Sequence, residues 1–260
     1  MFTVLAGLVG FFLFLLGSCI GSFLLVIADR YISHENPFLG RSKCDYCNKQ
    51  LVWYELIPYI SFLIQRGRCS SCKKKLSAHY PLYEALCGVF AVVFLQQAVL
   101  LGQGIFLASA MFLVACVLLI LIRIDLLLML LPDGFIWVLI AVSCGIAGIA
   151  HAPFSDIAFG LLAGVGFLYV LWAGTGGAGI GFGDVKLMIP FGILFGFRGT
   201  VTLLFLAFFI GGIVGILLLS TKKAGAKTAI PFGPFLAIAA FAIMLIPDLP
   251  HRFFQLLGVE

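Results

Sequence analysis

Long apolar runs constrain this chain more than any other feature. Hydrophobic residues occupy 63% of its 260 positions and charged residues only 10%, whereas soluble domains carry roughly 25% charged residues. A helix of about 20 apolar residues can cross a bilayer. The pattern therefore predicts an all-α polytopic membrane protein with about eight transmembrane helices. They are expected near residues 2–28, 83–101, 105–122, 134–150, 157–173, 185–197, 200–219 and 231–246.

The basic residues are distributed unevenly along the chain. Residues 29–81 contain nine of the 16 Lys and Arg residues. If this segment is cytoplasmic, alternating spans place fourteen basic residues inside and only Arg198 and Arg252 outside, as the positive-inside rule expects. The sequence therefore predicts that the 29–81 insertion faces the cytoplasm and that both termini lie outside. The net charge of +5 is explained by this topology, so no nucleic-acid partner is expected. The expected surroundings of the chain are a lipid bilayer.

The insertion between the first and second spans contains four regularly spaced cysteines. "CDYC" and "CSSC" place Cys44, Cys47, Cys69 and Cys72 as two C-x-x-C pairs, a spacing typical of structural zinc sites. Two disulfides are the alternative, and a reducing cytosol favours the metal. A closed four-thiolate site leaves no position for water, so we expect zinc to fold the insertion and not to catalyse a reaction. The predicted regions are a first transmembrane helix (1–28), a zinc-binding insertion (29–81) and a membrane-embedded remainder (82–260).

Two of the eleven acidic residues have no ready surface interpretation, unlike Glu35 and Glu55 in the insertion. Asp125 follows a long apolar run, and the next seven residues carry no charge. A lone carboxylate in such a segment is costly unless it has a function. Asp184 ends a glycine-rich stretch, and the predicted topology places it on the same side of the membrane as Asp125.

Two carboxylates brought together in a poorly hydrated site cannot both ionise easily, so one holds a proton while the other stays charged. An aspartyl protease needs this arrangement, because one carboxylate activates water and the other protonates the carbonyl oxygen or the leaving amine. Asp125 and Asp184 are therefore a candidate catalytic pair. Two unrelated interfacial aspartates, or the relay of a proton-coupled transporter, remain alternatives on the residues alone.

Three further polar residues lie near predicted span ends. Asp133 stands just before the fourth span, and we interpret it mainly as a helix cap, with substrate contact as the alternative. Lys186 could bias the acid pair toward its charged form or extend to the membrane interface. Glu84, near the start of the second span, is grouped with them as a candidate contact for substrate.

The glycines near Asp184 exclude one class of site and favour another. "GTGGAG" (174–179) has the spelling of a dinucleotide-binding loop, but it follows a membrane span and opens no soluble βαβ unit. Gly181 and Gly183 instead provide a backbone that an extended peptide can approach closely.

Gly17 and Gly21, four residues apart in the first span, predict close packing against another helix.

In this order, the segments resemble the bacterial type IV prepilin peptidases over about residues 17 to 240. G-x-G-D alone is a weak signal, but with D-x7-D, the tetracysteine insertion and a "PFGP" segment it becomes specific. The matching stretches are "GSFLLVIADR" (21–30), "CDYC", "CSSC", "ELIPYISFLIQRGRC" (55–69), "YPLYEAL" (80–86), "IDLLLMLLPD" (124–133), "GFGDVKL" (181–187) and "IPFGPFLA" (230–237).

The resemblance implies an aspartyl peptidase of a bacterial cytoplasmic (inner) membrane. Such enzymes remove the short basic leader of prepilins or pseudopilins at the cytoplasmic face, after a glycine, and so serve pili or secretion systems. Many of them then N-methylate the new terminus with S-adenosylmethionine. Carried onto matching positions, the resemblance makes Asp125 and Asp184 the catalytic pair and links the insertion and Gly67 to methylation.

Two positions depart from the family pattern. Leu25 stands where the family usually has Asn, and Lys43 stands where it often has His. Both concern the first span and the insertion, so they bear on methylation more than on cleavage. A peptidase without methylation, a proton-coupled transporter and a membrane scaffold built on the zinc module remain alternatives. A transporter predicts inverted repeats and polar residues deep in several spans, and a scaffold leaves Asp125 and Asp184 unexplained.

Overall fold

The computed structural model describes residues 2–37, 39–44, 46–102, 104–177, 179–221 and 230–258. Within these ranges it is helical and contains no strand, as the composition predicts. The helices are α1 (Phe2–Ile32), α2 (Ile60–Ile64), α3 (His79–Leu100), α4 (Ile105–Leu128), α5 (Asp133–Ile149), α6 (Phe154–Leu161), α7 (Phe167–Gly174), α8 (Phe182–Ser220), α9 (Gly233–Leu245) and α10 (Leu249–Leu256). A 3-10 turn (Trp53–Leu56) precedes α2, and a π-turn (Leu162–Gly166) joins α6 to α7. The chain forms two compact units, Met1–Ile120 and Leu121–Glu260.

In the first unit, α1 packs against α3 at very short range. A β-carbon placed on Gly17 would lie 2.6 Å from the carbonyl oxygen of Cys87, and one on Gly21 would lie 2.8 Å from the Cys87 side chain. No larger residue fits at either position without a shift of the backbone. The close packing predicted from the two glycines is therefore confirmed.

The insertion contains two similar knuckles, one for each C-x-x-C pair. An isolated antiparallel bridge joins Lys43 to Gln50 in the first knuckle, and another joins Arg68 to Lys75 in the second. In each, the first cysteine of the pair closes the turn with its own backbone groups: the Cys44 N–H donates to Lys49 O at 3.0 Å, and the Cys69 N–H donates to Lys74 O at 2.9 Å. The repeated backbone turn presents two sulfurs from each knuckle in the same way.

In the second unit, α8 packs against α5, α6 and α9. Its 39 residues contain one break at Gly196, where φ is 61° and ψ is −164°. The Phe197 N–H next to the break donates to the Asp156 carboxylate at 3.0 Å. Any side chain at Gly196 would overlap that carboxylate, so the break needs a glycine for both its conformation and its space.

By length and composition, five helices of the described residues can cross a membrane: α1, α3, α4, the joined α6–α7 and α8. They become six if α9 and α10, which meet at 100°, count as one broken span, while α5 is apolar but shorter. A multi-pass membrane protein is thus confirmed. The predicted sixth and seventh spans run together as α8, with the break at Gly196 between them. The count of eight, the cytoplasmic side of the insertion and the division at residues 28 and 81 stay predictions.

Candidate active site

The second unit brings two carboxylates and one glycine together from three helices. Asp125 lies in the last turns of α4, Asp184 lies in the first turn of α8, and Gly233 is the first residue of α9. The two aspartates are only 5% and 6% exposed. Buried carboxylates are rare because moving a charge out of water is costly. The burial of both aspartates therefore makes them candidates for a functional site.

Gly233 lies directly between the two acids. A β-carbon at this position would be 2.5 Å from Asp125 Oδ2 and 3.5 Å from Asp184 Oδ1. Both carboxylates therefore face the same small volume, and an alanine would compress it. The structure brings the predicted pair together, whereas its catalytic role stays a prediction.

The four carboxylate oxygens are not equally engaged. Asp184 Oδ2 accepts a hydrogen bond from the Gly181 N–H at 3.3 Å, so one side of this carboxylate holds the start of α8. Its Oδ1 faces the Gly233 volume. The Gly233 N–H faces the Asp125 carboxylate, but Asp125 Oδ2 is buried and makes no hydrogen bond of good geometry among the described residues. A buried acceptor without a partner costs about 1–3 kcal/mol, so the site contains an oxygen that a water or a substrate could satisfy.

The glycines before Asp184 have two different surroundings. Gly183 packs on Leu131, because a β-carbon there would lie 3.2 Å from the Leu131 side chain. Gly181 has only the Asp184 carboxylate within 3.4 Å and is exposed. The predicted approach route for a peptide is therefore open at Gly181 and narrower at Gly183.

Asp133 and Lys186 form an ion pair at 2.7 Å, with side-chain exposures of 62% and 35%. Helix α5 begins at Asp133 itself, its N-cap is Pro132, and no side-chain capping bond is found there. The interpretation of Asp133 as a side-chain cap is therefore wrong: Lys186, distant in sequence, takes up its carboxylate. Lys186 also lies 5.4 Å from the centre of the Phe182 ring, so Asp133 and this ring both contact its ammonium group.

Glu84 belongs to the first unit, where it is 8% exposed. Its Oε2 accepts a hydrogen bond from the Tyr59 N–H at 3.1 Å. Tyr59 has a positive φ of 58°, and the Glu84 carboxylate holds this strained backbone at the start of α2. The structure thus gives Glu84 a positioning contact within the protein. Gly67 lies just after α2 with φ at +64°, and a β-carbon there would lie 3.0 Å from the Phe62 ring.

The four predicted cysteine ligands converge in the first unit. The sulfurs of Cys44, Cys47, Cys69 and Cys72 all lie within 4.8 Å of one another. The Cys44–Cys72 and Cys47–Cys69 sulfur distances are both 4.0 Å, far beyond a disulfide bond of about 2.05 Å. Four sulfurs around a tetrahedral zinc, each about 2.3 Å from the ion, lie about 3.8 Å apart. The cluster therefore fits a tetrahedral metal ion better than it fits two disulfides.

Electrostatics in the knuckles favours the thiolate form that binds metal. The backbone N–H groups of Cys72 and then Ser71 face the Cys69 sulfur and lower the pKa of Cys69 to about 6. Beside the cluster, Glu55 is only 7% exposed, so the expectation that it is a surface residue is wrong. The Ser70 hydroxyl first, and then the Val52 N–H, lower the pKa of the Glu55 carboxyl. Glu55 also pairs with Lys49 at 3.1 Å and so joins the two knuckles.

Two important residues received no role from the sequence. Gly233 lies in the quoted "PFGP" segment, but nothing local indicates that it separates two aspartates from other helices. Glu55 stands at the start of "ELIPYISFLIQRGRC" in a polar segment, where a buried acid is not expected. In both cases the only available signal was membership of a matching stretch.

Comparison with known proteins agrees with this geometry. Residues 15–98 match the Bacterial Peptidase A24 N-terminal domain, and residues 111–216 match the Type IV leader peptidase family. No solved structure matches the chain.

Three curated relatives carry the name "Prepilin leader peptidase/N-methyltransferase". The protein of Stutzerimonas stutzeri is 35% identical over 82% of this chain and 74% of its own. The protein of Aeromonas salmonicida (strain A449) is 33% identical over 93% and 92%. The Bacillus subtilis (strain 168) protein is 30% identical over 91% and 94%. Because such identity extends over nearly the whole of both chains, this protein belongs to the type IV leader peptidase family.

Proposed function

We propose that the protein is a membrane aspartyl endopeptidase that cuts the leader peptide from type IV prepilins or pseudopilins. The observation that carries this proposal is the convergence of Asp125 and Asp184, both buried, on the volume beside Gly233. The names of the relatives supply the substrate class. On the predicted topology, cleavage takes place at the cytoplasmic face of the inner membrane, after a glycine.

The mechanism follows from the unequal engagement of the carboxylate oxygens. Close and poorly hydrated, the two acids share one proton. The ionised carboxylate takes a proton from a water molecule, whose oxygen attacks the scissile carbonyl carbon. The protonated partner donates its proton to the carbonyl oxygen. As the tetrahedral intermediate collapses, the C–N bond breaks and the leaving amine receives a proton from the pair.

The chain also positions these groups. The Gly181 N–H holds one oxygen of Asp184, so the other oxygen keeps a fixed direction toward Asp125. Because Gly233 has no side chain, the start of α9 can lie against both carboxylates without displacing them, and the exposed Gly181 gives an extended peptide a path without side-chain obstruction. Holding reactants in place in this way supplies much of the rate enhancement of such enzymes.

The test is the replacement of each aspartate by asparagine, which keeps the shape and removes the acid–base function. We expect Asp125→Asn and Asp184→Asn to abolish leader cleavage of a purified prepilin, by at least about 1,000-fold. Expression and metal content should not change. The matched control is Asp248→Asn. Asp248 is an exposed aspartate of the same unit and makes no side-chain capping bond, so this variant should cleave at the normal rate. Normal processing by either active-site variant would refute the assignment.

We further propose that the four cysteines hold a structural zinc ion, which organises the insertion and takes no part in the reaction. The sulfur geometry and the lowered pKa of Cys69 support this assignment. Zinc in a closed thiolate site acts through folding. Metal analysis of the purified protein tests it, with one zinc per chain expected.

N-methylation of the new terminus is the second activity we propose, with S-adenosylmethionine as the methyl donor. It rests on the names of the relatives. The groove beside Gly67 is lined by Arg66, Arg68 and Lys73, a set that suits an anion better than a sulfonium cation, so we assign no donor site. Mass analysis of the cleaved product with and without S-adenosylmethionine tests the activity, and a product without an added methyl group would contradict it.

A further inference from the structure

The segment around α2 lies beside the membrane-spanning part of α1. The Tyr59 ring stacks on the Phe14 ring with 5.8 Å between centroids. Phe14 is about four helical turns, or roughly 22 Å, from Asp29, where the apolar run of α1 ends. The side chain at the start of α2 therefore reaches a level that lies well inside the apolar part of the span.

Two further contacts place the backbone of Tyr59 about one helical turn below the polar ends of α1 and α3, so that only its ring extends toward Phe14. Tyr80, in the first turn of α3, donates a hydrogen bond to Asp29 at 3.1 Å, which aligns the polar ends of α1 and α3. Glu84 lies one turn deeper in α3 and accepts the Tyr59 N–H. Pro58, the residue before Tyr59, is buried. Irregular backbone is tolerated at membrane depth only where protein satisfies its polar groups, and Glu84 does so here.

The outer side of α2 is apolar and has no cover within its unit. Ile60, Leu63 and Ile64 are 48%, 72% and 76% exposed. Trp53 and Tyr54, in the preceding turn, are 76% and 56% exposed. Because the Tyr59 backbone lies only about one turn below the polar ends of α1 and α3, these side chains lie where acyl chains meet headgroups. Exposed aromatic residues followed by basic ones are typical of a membrane–water interface.

A groove of about 840 Å³ connects this apolar side with a group of cations. Ile60 and Ile64 line one part of it, and Arg66, Arg68 and Lys73 line another. Glu55, also in the lining, is already occupied by Lys49 and Ser70. Across the described ranges, no carboxylate lies within ion-pair distance of Arg66, Arg68 or Lys73. Three unpaired cations next to an apolar surface complement a molecule with an anionic head and a hydrocarbon tail.

We propose that α2 and this groove form a docking site for an anionic phospholipid. The acyl chains cover Ile60, Leu63 and Ile64, and the phosphate lies against Arg66, Arg68 and Lys73. Attraction between an anionic surface and nearby basic residues favours this position, and the apolar contact adds to it. The lipid thus holds the insertion on the membrane surface from which its two flanking helices emerge.

The depth is tested with a tryptophan probe in the full-length protein. The three natural tryptophans, Trp53, Trp137 and Trp172, are replaced by Phe, and Leu63→Trp supplies a single reporter on α2. In vesicles of phosphatidylcholine with 30% phosphatidylglycerol, brominated acyl chains should quench its emission at least about twofold. Aqueous iodide should have little effect. Lys74→Trp, on an exposed knuckle, is the matched probe and should show the reverse behaviour.

The lipid preference is tested by placing bromine on one lipid at a time. Quenching of Leu63→Trp by brominated phosphatidylglycerol should exceed that by brominated phosphatidylcholine about threefold, after correction for composition. Arg66→Gln/Arg68→Gln/Lys73→Gln should bring this ratio to about one. The control Arg41→Gln/Lys74→Gln/Lys75→Gln removes three exposed charges of the insertion outside the groove lining and should leave it unchanged.

Three results would overturn the proposal. The first is quenching of Leu63→Trp by iodide and not by bromolipid. The second is equal quenching by brominated phosphatidylglycerol and brominated phosphatidylcholine in the protein with an unsubstituted groove, or an equal fall in this quenching ratio in both triple variants. The third is protection from both quenchers only when prepilin is added, which would make the groove a polypeptide site. Zinc content measured on each variant separates a loss of lipid binding from a loss of folding.

Discussion

The cysteine cluster and the acid pair differ in how completely their polar atoms are engaged. The cysteines lie in two matching turns, with sulfurs 4.0 Å apart in pairs and backbone N–H groups facing the Cys69 sulfur. Beside them Glu55 is bonded to Ser70, Val52 and Lys49. At the acid pair, Asp125 Oδ2 is buried and has no hydrogen-bond partner among the described residues, and Gly233 approaches it so closely that no side chain fits there.

This difference separates a site that supports a fold from a site that performs chemistry. A group whose hydrogen bonds are complete has no capacity left for a substrate, but it stabilises the segment that contains it. A buried oxygen without a hydrogen-bond partner lowers the stability of the fold. Such oxygens are retained where they interact with a substrate or a water molecule. The predictions below test whether the two sites behave in these two ways.

The largest effect is expected at the cysteine cluster. Cys72→Ser removes one of four ligands, and structural zinc contributes about 10–16 kcal/mol to small domains that depend on it. We expect the variant to lose its zinc and its insertion to become sensitive to protease, while leader cleavage falls less than tenfold. Metal analysis and limited proteolysis measure this, with the exposed Cys144→Ser as the control. Full retention of zinc would contradict the assignment.

At the acid pair, adding a single carbon should stop the chemistry without unfolding the protein. Gly233→Ala places a β-carbon 2.5 Å from Asp125 Oδ2, so the carboxylates must move apart. A displacement of about 1 Å can cost about 100-fold in rate, and we expect a loss of that size in initial cleavage rate. Gly215→Ala in α8, where nothing lies within 4 Å, is the control. A Gly233→Ala enzyme with normal activity would show that the space between the acids is not used.

Glu84, in the first unit, is a buried acid whose carboxylate accepts a hydrogen bond. It therefore tests whether such an acid supports the fold. Glu84→Ala leaves the Tyr59 N–H without its acceptor and should destabilise the protein by about 1–3 kcal/mol. Glu84→Gln keeps a carbonyl oxygen at that place and should cost less than half as much. Unfolding in detergent, followed by near-ultraviolet circular dichroism, provides the measurement. Equal losses in the two variants would show that the negative charge, and not the hydrogen bond, is what matters.

The smallest effect is expected for the Asp133–Lys186 pair. Its side chains are 62% and 35% exposed, and exposed pairs contribute about 0.2–1 kcal/mol. Lys186→Gln, Asp133→Asn and the double variant should therefore change the cleavage rate less than about fivefold. A double-mutant cycle on cleavage rate and unfolding checks this. A large rate loss confined to Lys186→Gln would place this lysine in the catalytic machinery.

Much of the architecture could be predicted because it depends on local properties. Helices α1, α3 and α4 follow from apolar run length, and their observed bounds lie within about six residues of the predicted ones. The cysteine cluster follows from spacing, since a C-x-x-C turn presents both sulfurs on one side whatever surrounds it. Asp125 stands out as a candidate functional residue because a charge in an apolar run is costly.

Other features could not be predicted because they depend on contacts between distant segments. Asp133 was interpreted as a cap from its neighbours, but Lys186, which lies far along the chain, takes its carboxylate. Glu55 appeared to be a surface residue because its neighbours are polar, yet Ser70 and Lys49 bury it. Residues around α2 read as part of a water-exposed insertion, although Tyr59 packs beside Phe14 of a span.

Linear patterns in the chain are enough to predict its class, its membrane character, its four cysteine ligands and the two aspartates most costly to place in an apolar helix. Those properties are sums over neighbouring residues, and a linear pattern records them. Only the tertiary structure decided that the two carboxylates meet at Gly233, that one oxygen is held by Gly181 and another is left open. Which atoms of α4, α8 and α9 face one another is set by helix packing, whose distances no local pattern contains.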